Sequence, residues 1–432
     1  MLHVAIVGAG PAGFYTAEAL TKRLGDGVTI DMIDCLPTPY GLIRAGVAPD
    51  HQSIKAVDRR YHAVLAGGAR FVGNVTVGAD GVAAADLLRL YDAVIIATGA
   101  PRDRRLGIPG EDLPGVMGSG AFVGWYNGHP DFADLRVPLQ HPGVAVIGNG
   151  NVAIDVARVL AKTAAELAPS DLAAHARAAL ATSAVRDIHI VGRRGPYQAS
   201  FTPKETGELG HLARARPVVD PRDLPDAAGD AALEPGLRKV VGALRGFAAM
   251  PASSVPVTIT FDFYARPVLI EQRAAGLQLT IERTRLDGGA VVGTGALRTI
   301  DCGLIVAAIG YASAAIDGIP FDAERGRVAN DGGRVSDRLF VTGWARRGPS
   351  GTIGTNKPDG AEVAARIAAE VSCGDRSGGA GLDELLVKRG IRPITFSGWQ
   401  AIDAAEIAGA RGGAPREKFV RREHMIGVAT GH

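Results

Sequence analysis

Two glycine-rich segments, each directly after a short apolar run, constrain the possible folds of this chain more than any other feature. The first is GAGPAG at 8–13, after the run 4–7, and the second is GNGNVA at 148–153, after the run 144–147. A turn of this kind brings the backbone close to a pyrophosphate, which the N-terminus of the following helix attracts. We therefore expect two strand–turn–helix units that each bind a dinucleotide. The glycines expected to contact it are Gly8, Gly10 and Gly13 in the first segment and Gly148 and Gly150 in the second.

The strand that follows each glycine segment ends in a residue of different charge. The first strand, 28–34, ends in Asp34, whereas the second, 187–192, leads to Arg193 and Arg194. A carboxylate suits a free ribose 2′-hydroxyl, and an arginine pair suits a 2′-phosphate. We expect FAD at the first segment and NADP at the second, with electrons passing between them. The alternatives are ordinary glycine turns, a strand-end turn acid and a solvated basic turn.

Length, charge and cysteine usage exclude several classes of protein. The 432 residues favour two domains, and a net charge of +2 gives no indication of nucleic acid as a partner. Cys35, Cys302 and Cys373 lie too far apart for a dithiol, a zinc site or an iron–sulfur cluster, so we expect no metal. Few cysteines fit the cytoplasm. The N-terminus enters a predicted strand at once, and no apolar stretch has the length of a membrane span.

The order of these features predicts an α/β fold with one domain inserted in the other. Two Rossmann-like dinucleotide-binding domains are expected, with the NADP domain inside a discontinuous FAD domain. Their expected bounds are 1–103 for the first part of the FAD domain, 104–318 for the NADP domain and 319–432 for the second part of the FAD domain. Smaller expectations are a helix at 151–166, a β-meander at 255–300 and a flexible surface link at 374–381.

Four acidic or histidine side chains are candidates with weaker support. Glu205 and Glu208 share a face if their segment is helical, but a solvated face explains them equally. Asp155 lies in the first turns of the helix after Gly150, where an acid favours the helix dipole without any chemistry. His51 follows a Pro-Asp pair in a loop, where a structural or exposed role is common.

Several longer motifs in this order resemble a known family over nearly the whole chain. They are PTPYGLIR at 37–44 with GVAPDH at 46–51, GNGNVAIDVAR at 148–158, GRRGP at 192–196, and TGWARRGPSG at 342–351 with GTNK at 354–357. The chain is similar to the adrenodoxin-reductase type of ferredoxin–NADP reductase, particularly its bacterial members. Asp34 stands where that family usually has glutamate.

The resemblance implies a set of cofactor contacts. For FAD it implies Ala12, Asp34, Leu42, Val77, Trp344, Gly351, Thr352 and Ile353. For NADP it implies Asn151, Val152, Arg193, Arg194, Glu205 and Gly351. It also implies that His51, Asp155 and Glu208 lie near the flavin or the nicotinamide, where they are the candidate catalytic residues.

The activity implied by the resemblance is hydride transfer from NADPH to FAD, followed by single-electron transfer to an iron–sulfur ferredoxin. An acidic ferredoxin would dock on a basic surface, for which Arg238, Lys239 and Arg245 are candidates. Indirect supply to a cytochrome P450 is a further expectation. The alternatives are an NADPH diaphorase or oxidase with a quinone or other small acceptor, and a non-catalytic redox sensor. A disulfide reductase is disfavoured because no cysteine pair is present, and an electron-entry subunit of the glutamate-synthase type because its cysteine-rich region is missing.

Overall fold

The computed structural model describes residues Met1–Gly431, which form two compact units. The first unit comprises Met1–Arg102, Tyr311–Arg411 and the residues from Pro415 on. The second comprises Asp103–Gly310 with Gly412–Ala414. The first unit is therefore discontinuous along the chain, and the second is inserted into it. No helix of the described residues is long and apolar enough to cross a membrane.

The N-terminal part of the first unit alternates strands and helices. Its strands are β1 (Leu2–Val7), β2 (Val28–Ile33), β3 (Arg70–Val72) and β4 (Ala93–Ile96). Its helices are α1 (Pro11–Leu24), α2 (Leu42–Ala45), α3 (Gln52–Lys55), α4 (Asp58–Ala66) and α5 (Ala84–Leu90). The order strand, glycine loop, helix and strand at 2–33 agrees with the sequence-based prediction.

The inserted second unit follows the short strand β5 (Arg102–Asp103). Its strands are β6 (Val116–Gly118), β7 (Gly143–Ile147), β8 (Asp187–Val191), β9 (Ala215–Val219), β10 (Val257–Asp262), β11 (Ala265–Arg273), β12 (Gly276–Asp287), β13 (Ala290–Cys302) and β14 (Leu304–Ala307). Its helices are α6 (Ser119–Asn127), α7 (Asn151–Ala161), α8 (Ala164–Leu167), α9 (Ala174–Ala181), α10 (Pro203–Glu208) and α11 (Pro235–Ala248).

The chain then completes the first unit. The remaining strands are β15 (Tyr311–Ala312), β16 (Phe321–Asp322), β17 (Arg327–Val328), β18 (Arg334–Ser336) and β19 (Leu339–Val341). The remaining helices are α12 (Gly343–Arg347), α13 (Asn356–Glu370), α14 (Gly378–Lys388), α15 (Phe396–Ala408) and α16 (Arg422–Thr430).

The first unit is built on a six-stranded sheet in the order β18-β19-β4-β1-β2-β3. All neighbours in it are parallel except β18, which runs antiparallel to β19. Val4 and Ile6 of β1 enter one hydrophobic cluster, and Ala5 and Val7 enter another on the opposite face. Because both faces of the sheet are covered, the central strands β1 and β4 are largely apolar and the unit is doubly wound.

The second unit is built on a six-stranded parallel sheet in the order β6-β14-β7-β8-β10-β9. One face of this sheet packs against its helices in a large hydrophobic cluster. The other face packs against Leu279 and Ile281 of the antiparallel meander β11-β12-β13. The carboxyl ends of β7 and β8 lie at the same edge, where open α/β sheets bind their ligands.

The helix expected at 151–166 ends earlier than predicted. It stops at Ala161, because Lys162 adopts an extended backbone with a ψ of 149°. The side chain of Thr163 then caps α8 by accepting a hydrogen bond from the backbone N–H of Glu166 at 3.2 Å. A local capping preference therefore overrides the continuous helical pattern.

Two further sequence-based bounds were wrong. The segment 255–300 is not a single meander, because β10 joins the parallel sheet between β8 and β9 and only 265–302 is antiparallel. The surface link expected at 374–381 contains the start of α14. Leu382 and Leu386 of that helix are buried four residues apart, which favours a helix over a flexible link.

Candidate functional site

The first glycine loop, residues 8–13, joins β1 to α1 and requires glycine at two positions. Gly8 has a φ of +112°, and a Cβ atom there would lie 2.5 Å from the carbonyl oxygen of Ala97. A Cβ atom at Gly13 would lie 2.2 Å from the carbonyl oxygen of Gly8. Both obstacles are backbone atoms of packed elements, so a side chain at either position would distort the loop. Gly8 and Gly13 therefore set its shape.

Gly10 leaves open space at the N-terminus of α1. It is the N-cap residue and has no side chain to cap the helix. A Cβ atom at Gly10 would find its nearest neighbour, the Cα atom of Gly41, at 3.8 Å. The first N–H groups of a helix lack intrahelical partners and attract an anion. The loop thus fits the pyrophosphate of a dinucleotide.

Asp34, immediately after β2, holds the first glycine loop in place. Its Oδ2 accepts a hydrogen bond from the N–H of Ala9 at 2.8 Å, and its Oδ1 accepts one from the N–H of Leu36 at 2.9 Å. Burial raises the pKa of the Asp34 carboxyl, although these bonds and the charge of Arg422 act in the opposite direction. The side chain of Cys35 also hydrogen-bonds to this carboxyl, so about one of its roughly four acceptor sites is left for a ribose hydroxyl, and that contact stays a prediction.

Leu42 lies beside the first glycine loop because the backbone before it packs on that loop. A Cβ atom at Gly41 would lie 3.0 Å from the Cα atom of Gly10, and Gly41 itself has a φ of +50°. Leu42 begins α2 directly after this contact, with an exposed side chain. A large exposed apolar side chain next to an open helix terminus is suited to cover a ligand.

Trp344 reaches the same loop from the other end of the chain. The residue before it, Gly343, has a φ of +64°, and a Cβ atom there would lie 2.4 Å from the Cβ atom of Ala12. The indole Nε1 of Trp344 donates a hydrogen bond to the carbonyl oxygen of Ser350 at 3.0 Å. The structure therefore places Trp344 next in the chain to a residue, Gly343, that packs on Ala12.

The structure also describes the surroundings of three further residues expected to contact FAD, which are Gly351, Thr352 and Val77. Gly351 has a φ of +80° and lies close to the side chain of Thr355. Thr352 is the residue before the short 3-10 helix Ile353–Thr355, which leads into α13, and its side chain makes no capping hydrogen bond within the described residues. Val77 lies in an isolated bridge with Val82, so its contact with FAD stays a prediction.

His51 is buried at the start of α3. Its backbone N–H donates to the carbonyl oxygen of Ala48 at 3.0 Å, and its own carbonyl accepts from the N–H groups of Ile54 and Lys55. These bonds fix the backbone at His51. The catalytic role expected for its imidazole stays a prediction.

A buried ion pair that the sequence did not reveal anchors the segment 40–46, which carries Leu42. Arg44 donates from Nη1 to Oε2 of Glu406 at 2.8 Å and from Nη2 to Oε1 at 2.5 Å. Glu406 is fully buried and also accepts from the N–H of Phe419 at 2.9 Å. The ammonium group of Lys418 donates to the carbonyl oxygen of Arg44 at 3.1 Å. The two charges are separated by 362 positions in sequence, so no local pattern could indicate the pair.

The second glycine loop, residues 148–153, has the same features as the first. Gly148 has a φ of +152°, and a Cβ atom there would lie 2.2 Å from the carbonyl oxygen of Ala308. A Cβ atom at Gly150, the N-cap of α7, would have no neighbour within 4 Å among the described residues. The Oδ1 of Asn151 accepts a hydrogen bond from the N–H of Thr202 at 2.7 Å. This loop also leaves room for a pyrophosphate at a helix N-terminus.

Two buried polar groups near the second loop have no hydrogen-bond partner within the described chain. The Oδ1 and Nδ2 atoms of Asn149 both lack a hydrogen-bond partner among the described residues. The side chain of Asn149 packs against Gly192, because a Cβ atom at Gly192 would lie 2.6 Å from the Cγ of Asn149. The Oε2 atom of Glu205 on α10 also lacks such a hydrogen-bond partner. Buried polar atoms are rarely left unpaired, so these groups are suited to a bound ligand or water. Val152, beside them in the first turn of α7, is half-buried.

Arg193 and Arg194 follow β8 directly and are both exposed. Within residues 1–431 neither guanidinium group has a hydrogen bond or an ion pair. By contrast, other arginines of the same unit are bound to carboxylates or to carbonyl groups, namely Arg245, Arg283, Arg298 and Arg214. Two adjacent unpaired guanidinium groups next to an open helix terminus suit a phosphate dianion. Their contact with a 2′-phosphate stays a prediction.

Arg158, a buried residue of α7, joins two of the predicted catalytic residues. Its Nη2 donates to Oδ1 of Asp155 at 2.7 Å, and its Nε lies 3.3 Å from Oε2 of Glu208. The segment of Glu208 is helical, as its shared face with Glu205 requires. Sequence reasoning missed Arg158, although its spacing of three residues from Asp155 on a helix was a usable signal.

The three basic residues proposed for docking all lie on α11, but they are not equally available. Arg245 donates from Nε to Oδ2 of Asp230 at 2.7 Å, and this pair holds the pKa of the Asp230 carboxyl at about 2. Nη2 of Arg238 donates to two backbone carbonyl groups of the preceding segment at 2.9 Å each. Lys239 is exposed. Arg245 is therefore neutralised, and Arg238 and Lys239 remain as exposed charges.

Comparisons with known proteins identify the family to which this chain belongs. The family described as pyridine nucleotide-disulphide oxidoreductase matches residues 2–194. A probable ferredoxin/ferredoxin–NADP reductase of Mycobacterium tuberculosis is 42% identical over 99% of this chain and 76% of its own length. The mitochondrial NADPH:adrenodoxin oxidoreductase of Arabidopsis thaliana is 38% identical over 99% of this chain and 95% of its own length.

The fold is also similar to that of a solved relative. The structure of Mycobacterium tuberculosis FprA in complex with NADPH superimposes with a TM-score of 0.94 at 37% identity, and the match covers 100% of both chains. Two dinucleotide-binding units of the Rossmann type, one inserted in the other, are common to both. The chain belongs to the family of ferredoxin–NADP reductases of the adrenodoxin-reductase type.

Proposed function

We propose that this protein transfers electrons from NADPH, by way of bound FAD, to an iron–sulfur ferredoxin. The observation that carries the proposal is a pair of open glycine loops with opposite charges beside them, Asp34 at one and the unpaired Arg193 and Arg194 at the other. The relatives are named for NADPH, ferredoxin and adrenodoxin. When bound, FAD supplies the conversion between a two-electron hydride donor and a one-electron acceptor.

In this proposal the first unit holds FAD. Its glycine loop and the α1 N-terminus bind the pyrophosphate, Asp34 binds a ribose, and Leu42 and Trp344 cover the cofactor. The proposed contacts are Gly8, Gly10, Ala12, Gly13, Asp34, Leu42, Val77, Trp344, Gly351, Thr352 and Ile353. The FAD-binding domain is assigned to 1–103 and 319–432.

The second unit holds NADP(H) through its own glycine loop, and the NADP-binding domain is assigned to 104–318. Arg193 and Arg194 bind the 2′-phosphate by charge-assisted hydrogen bonds. The proposed contacts are Gly148, Gly150, Asn151, Val152, Arg193, Arg194, Glu205 and Gly351. The unpaired Oε2 of Glu205 is suited to accept a hydrogen bond from the ligand.

Three side chains are proposed to act on protons or on the local electrostatic field. Asp155 and Glu208 share the buried guanidinium of Arg158, which holds their carboxylates in fixed positions. The backbone of His51 is fixed by its hydrogen bonds, and its imidazole has two ring nitrogens that can donate or accept a hydrogen bond. Their roles in the chemistry are supported by the family resemblance.

The proposed partner is an acidic ferredoxin that docks on the basic surface of α11, and supply to a cytochrome P450 is a downstream extension of the same proposal. The exposed charges of Arg238 and Lys239 support this surface. We also propose the cytoplasm as its location, since no disulfide bond joins cysteines of the described residues.

Replacing Gly10 with alanine tests the first glycine loop. The new methyl group would meet no atom closer than 3.8 Å, so the protein should fold and keep its melting temperature in the FAD-free form. The methyl group would occupy the space assigned to the pyrophosphate. Overpacking of this kind costs about 1–3 kcal/mol, which weakens FAD binding about 5- to 150-fold. Flavin fluorescence titration of the FAD-free protein measures the dissociation constant.

The control for this variant is Gly27→Ala, where a Cβ atom also meets no neighbour within 4 Å among the described residues but lies away from the loop. It should bind FAD like the unmodified protein. Unchanged FAD affinity in Gly10→Ala would show that the pyrophosphate does not lie at this loop.

Replacing Lys239 with glutamate tests the docking surface. Charge reversal should raise the KM for an acidic ferredoxin about fivefold at low ionic strength, and the effect should shrink as salt is added. Lys22→Glu, another exposed lysine, is the control. Steady-state ferredoxin reduction at several salt concentrations measures both. An equal effect of the two substitutions, or one that does not depend on salt, would place the docking surface elsewhere.

The proposed function itself is tested by anaerobic reduction of cytochrome c with purified holoenzyme. NADPH and NADH are compared, each with and without an acidic [2Fe–2S] ferredoxin. We expect strong dependence on ferredoxin and a preference for NADPH. Bleaching of the flavin by NADPH without ferredoxin dependence would favour a diaphorase with a small-molecule acceptor. A flavin that NADPH does not bleach would favour the redox sensor.

A further inference from the structure

The turn between β10 and β11 contains a residue in an unfavourable conformation. Tyr264 has a φ of +52°, which is uncommon for a side chain larger than asparagine or aspartate. Such a conformation persists where the surrounding structure fixes it, and it is frequent at functional sites. The contacts of this turn therefore indicate its structural or functional role.

The backbone of this turn is hydrogen-bonded to the loop that carries Arg193 and Arg194. The N–H of Tyr264 donates to the carbonyl oxygen of Arg194 at 3.1 Å. The N–H of Ala265 donates to the carbonyl oxygen of Gly192 at 2.9 Å, and the N–H of Gly192 donates to the backbone carbonyl oxygen of Asp262 at 2.9 Å. The turn thus continues the pairing of β8 and β10 past the ends of both strands.

Thr284 of β12 adds a hydrogen bond to the carbonyl group of Arg193, which lies between the two carbonyl groups that the turn already binds. Its Oγ1 donates to the carbonyl oxygen of Arg193 at 2.9 Å, and its N–H donates to the carbonyl oxygen of Tyr264 at 2.7 Å. Thr284 is buried and lies at a register shift in the pairing of β12 with β13. The irregularity in β12 turns its hydroxyl group toward the arginine loop, as bulges often do beside functional sites.

The side chain of Tyr264 packs on the same loop. A Cβ atom at Gly195 would lie 2.1 Å from the phenol oxygen of Tyr264, so the ring rests directly on that glycine. On its other side the guanidinium of Arg283 lies 5.2 Å from the ring centroid and is held by an ion pair with Asp223 at 2.7 Å. The ring is therefore fixed between the arginine loop and the meander.

We propose that Thr284 and Tyr264 are positioning residues that determine specificity for a 2′-phosphate, because they set the direction of Arg193 and Arg194. This inference rests on the proposed function, in which the arginine pair binds that phosphate. The two guanidinium groups have no partner of their own within residues 1–431, so the backbone bonds from the meander are what orient them. Recognition by charged hydrogen bonds depends on such orientation.

The β11–β13 meander therefore has a role beyond covering the second sheet. It discriminates a nucleotide with a phosphate on its 2′-oxygen from one with a free hydroxyl group at that position. A ligand without the 2′-phosphate does not contact the arginine pair, so its affinity should not change when the loop that carries Arg193 and Arg194 is disturbed.

The test is the affinity of holoenzyme variants for 2′,5′-ADP and for NAD⁺, measured by isothermal titration calorimetry. Thr284→Val removes the hydroxyl group at nearly constant volume and should weaken 2′,5′-ADP binding about fivefold, the effect of one lost hydrogen bond. NAD⁺ affinity should change less than about twofold. Thr284→Ser keeps the donor and should restore 2′,5′-ADP affinity. In steady-state kinetics the loss should appear in the KM for NADPH rather than in kcat.

The matched control is Thr280→Val on the same strand, because no hydrogen bond of the Thr280 side chain occurs within the described residues. It should bind both ligands like the unmodified protein. Tyr264→Asn, which suits the left-handed conformation but removes the ring, is the second variant and should also weaken 2′,5′-ADP binding selectively. It serves as the test if Thr284→Val does not fold.

Three outcomes would overturn the inference. Unchanged 2′,5′-ADP affinity in both Thr284→Val and Tyr264→Asn would show that the meander does not orient the arginine pair. Equal losses for 2′,5′-ADP and NAD⁺ would indicate a merely structural role. If the unmodified protein does not bind 2′,5′-ADP, the assignment of the arginine pair fails first, and the inference fails with it.

Discussion

Replacing both Arg193 and Arg194 with alanine should lower kcat/KM for NADPH about 10²- to 10³-fold and leave kcat/KM for NADH nearly unchanged. A charge-assisted hydrogen bond at an exposed site contributes at the lower end of the range of about 1.5–3 kcal/mol, so two such bonds account for about 3–4 kcal/mol of binding to a 2′-phosphate. Both side chains are exposed and have no partner within residues 1–431. Their removal breaks no internal contact, and stability should not change. Steady-state kinetics with each nucleotide measures the effect.

The single variants Arg193→Ala and Arg194→Ala should each lose part of the preference for NADPH over NADH, since two adjacent guanidinium groups share one phosphate dianion. Arg222→Ala is the matched control, because Arg222 is an exposed arginine of the same unit that is already paired with Asp220 at 2.6 Å. It should leave both kcat/KM values as they are. Equal losses for NADPH and NADH in the double variant would mean that the pair does not recognise the 2′-phosphate.

Replacing Glu406 with alanine should lower the free energy of unfolding of the first unit by about 3–5 kcal/mol. The substitution leaves the guanidinium of Arg44 buried without its carboxylate, and an uncompensated buried charge is strongly destabilising. Because Arg44 lies in the segment 40–46 that carries Leu42, FAD should also dissociate at a lower temperature. Calorimetry of the holoenzyme, with flavin fluorescence followed during heating, measures both effects.

The control for Glu406 is Glu18→Ala, which removes an ion pair of similar length on the surface. Glu18 and Arg60 are 2.7 Å apart, but both side chains are more than one third exposed, so the loss should stay below about 1 kcal/mol. Similar losses in the two variants would show that the buried position of the Arg44–Glu406 pair has no special importance.

The contribution of Glu406 to the free energy of unfolding should depend on pH. Burial alone would raise the pKa of the Glu406 carboxyl, but Arg44, Arg416 and the N–H of Phe419 hold the pKa below its ordinary value. A carboxyl group whose pKa is lower in the folded state stabilises the protein fully above its unfolded pKa of about 4.3. That contribution is lost as the pH falls through the folded pKa. The difference between Glu406→Ala and the unmodified protein should therefore shrink under acid conditions.

The parts of the fold that the sequence predicted are those that local patterns determine. The glycine loop of 8–13 and the helix 11–24 follow from short apolar runs and from glycines in fixed positions. The same is true of the second loop and of the exposed arginine pair after β8. In both units the ligand-binding edge of the sheet follows from the carboxyl ends of parallel strands.

The parts that the sequence did not predict depend on contacts between distant residues. No local pattern indicates that Asp34 accepts a hydrogen bond from the loop of Ala9, or that Glu406 neutralises Arg44. The division of 255–300 between a parallel sheet and a meander depends on which neighbour β10 finds, and alternation of apolar residues is the same in both arrangements. The early end of α7 shows that one capping residue can outweigh helix propensity.

The split first unit has a consequence for synthesis on the ribosome. Its central strand β4 ends at Ile96, but β19, the strand that pairs with β4 in the sheet, begins only at Leu339. The nascent chain therefore emerges with the whole of Asp103–Gly310 before the first sheet can be completed. Since domains fold largely as units during translation, the inserted unit should be folded while the N-terminal strands still wait for their neighbour. FAD capture is then a late event, because the proposed contacts Trp344 and Gly351 leave the exit tunnel only after the inserted unit.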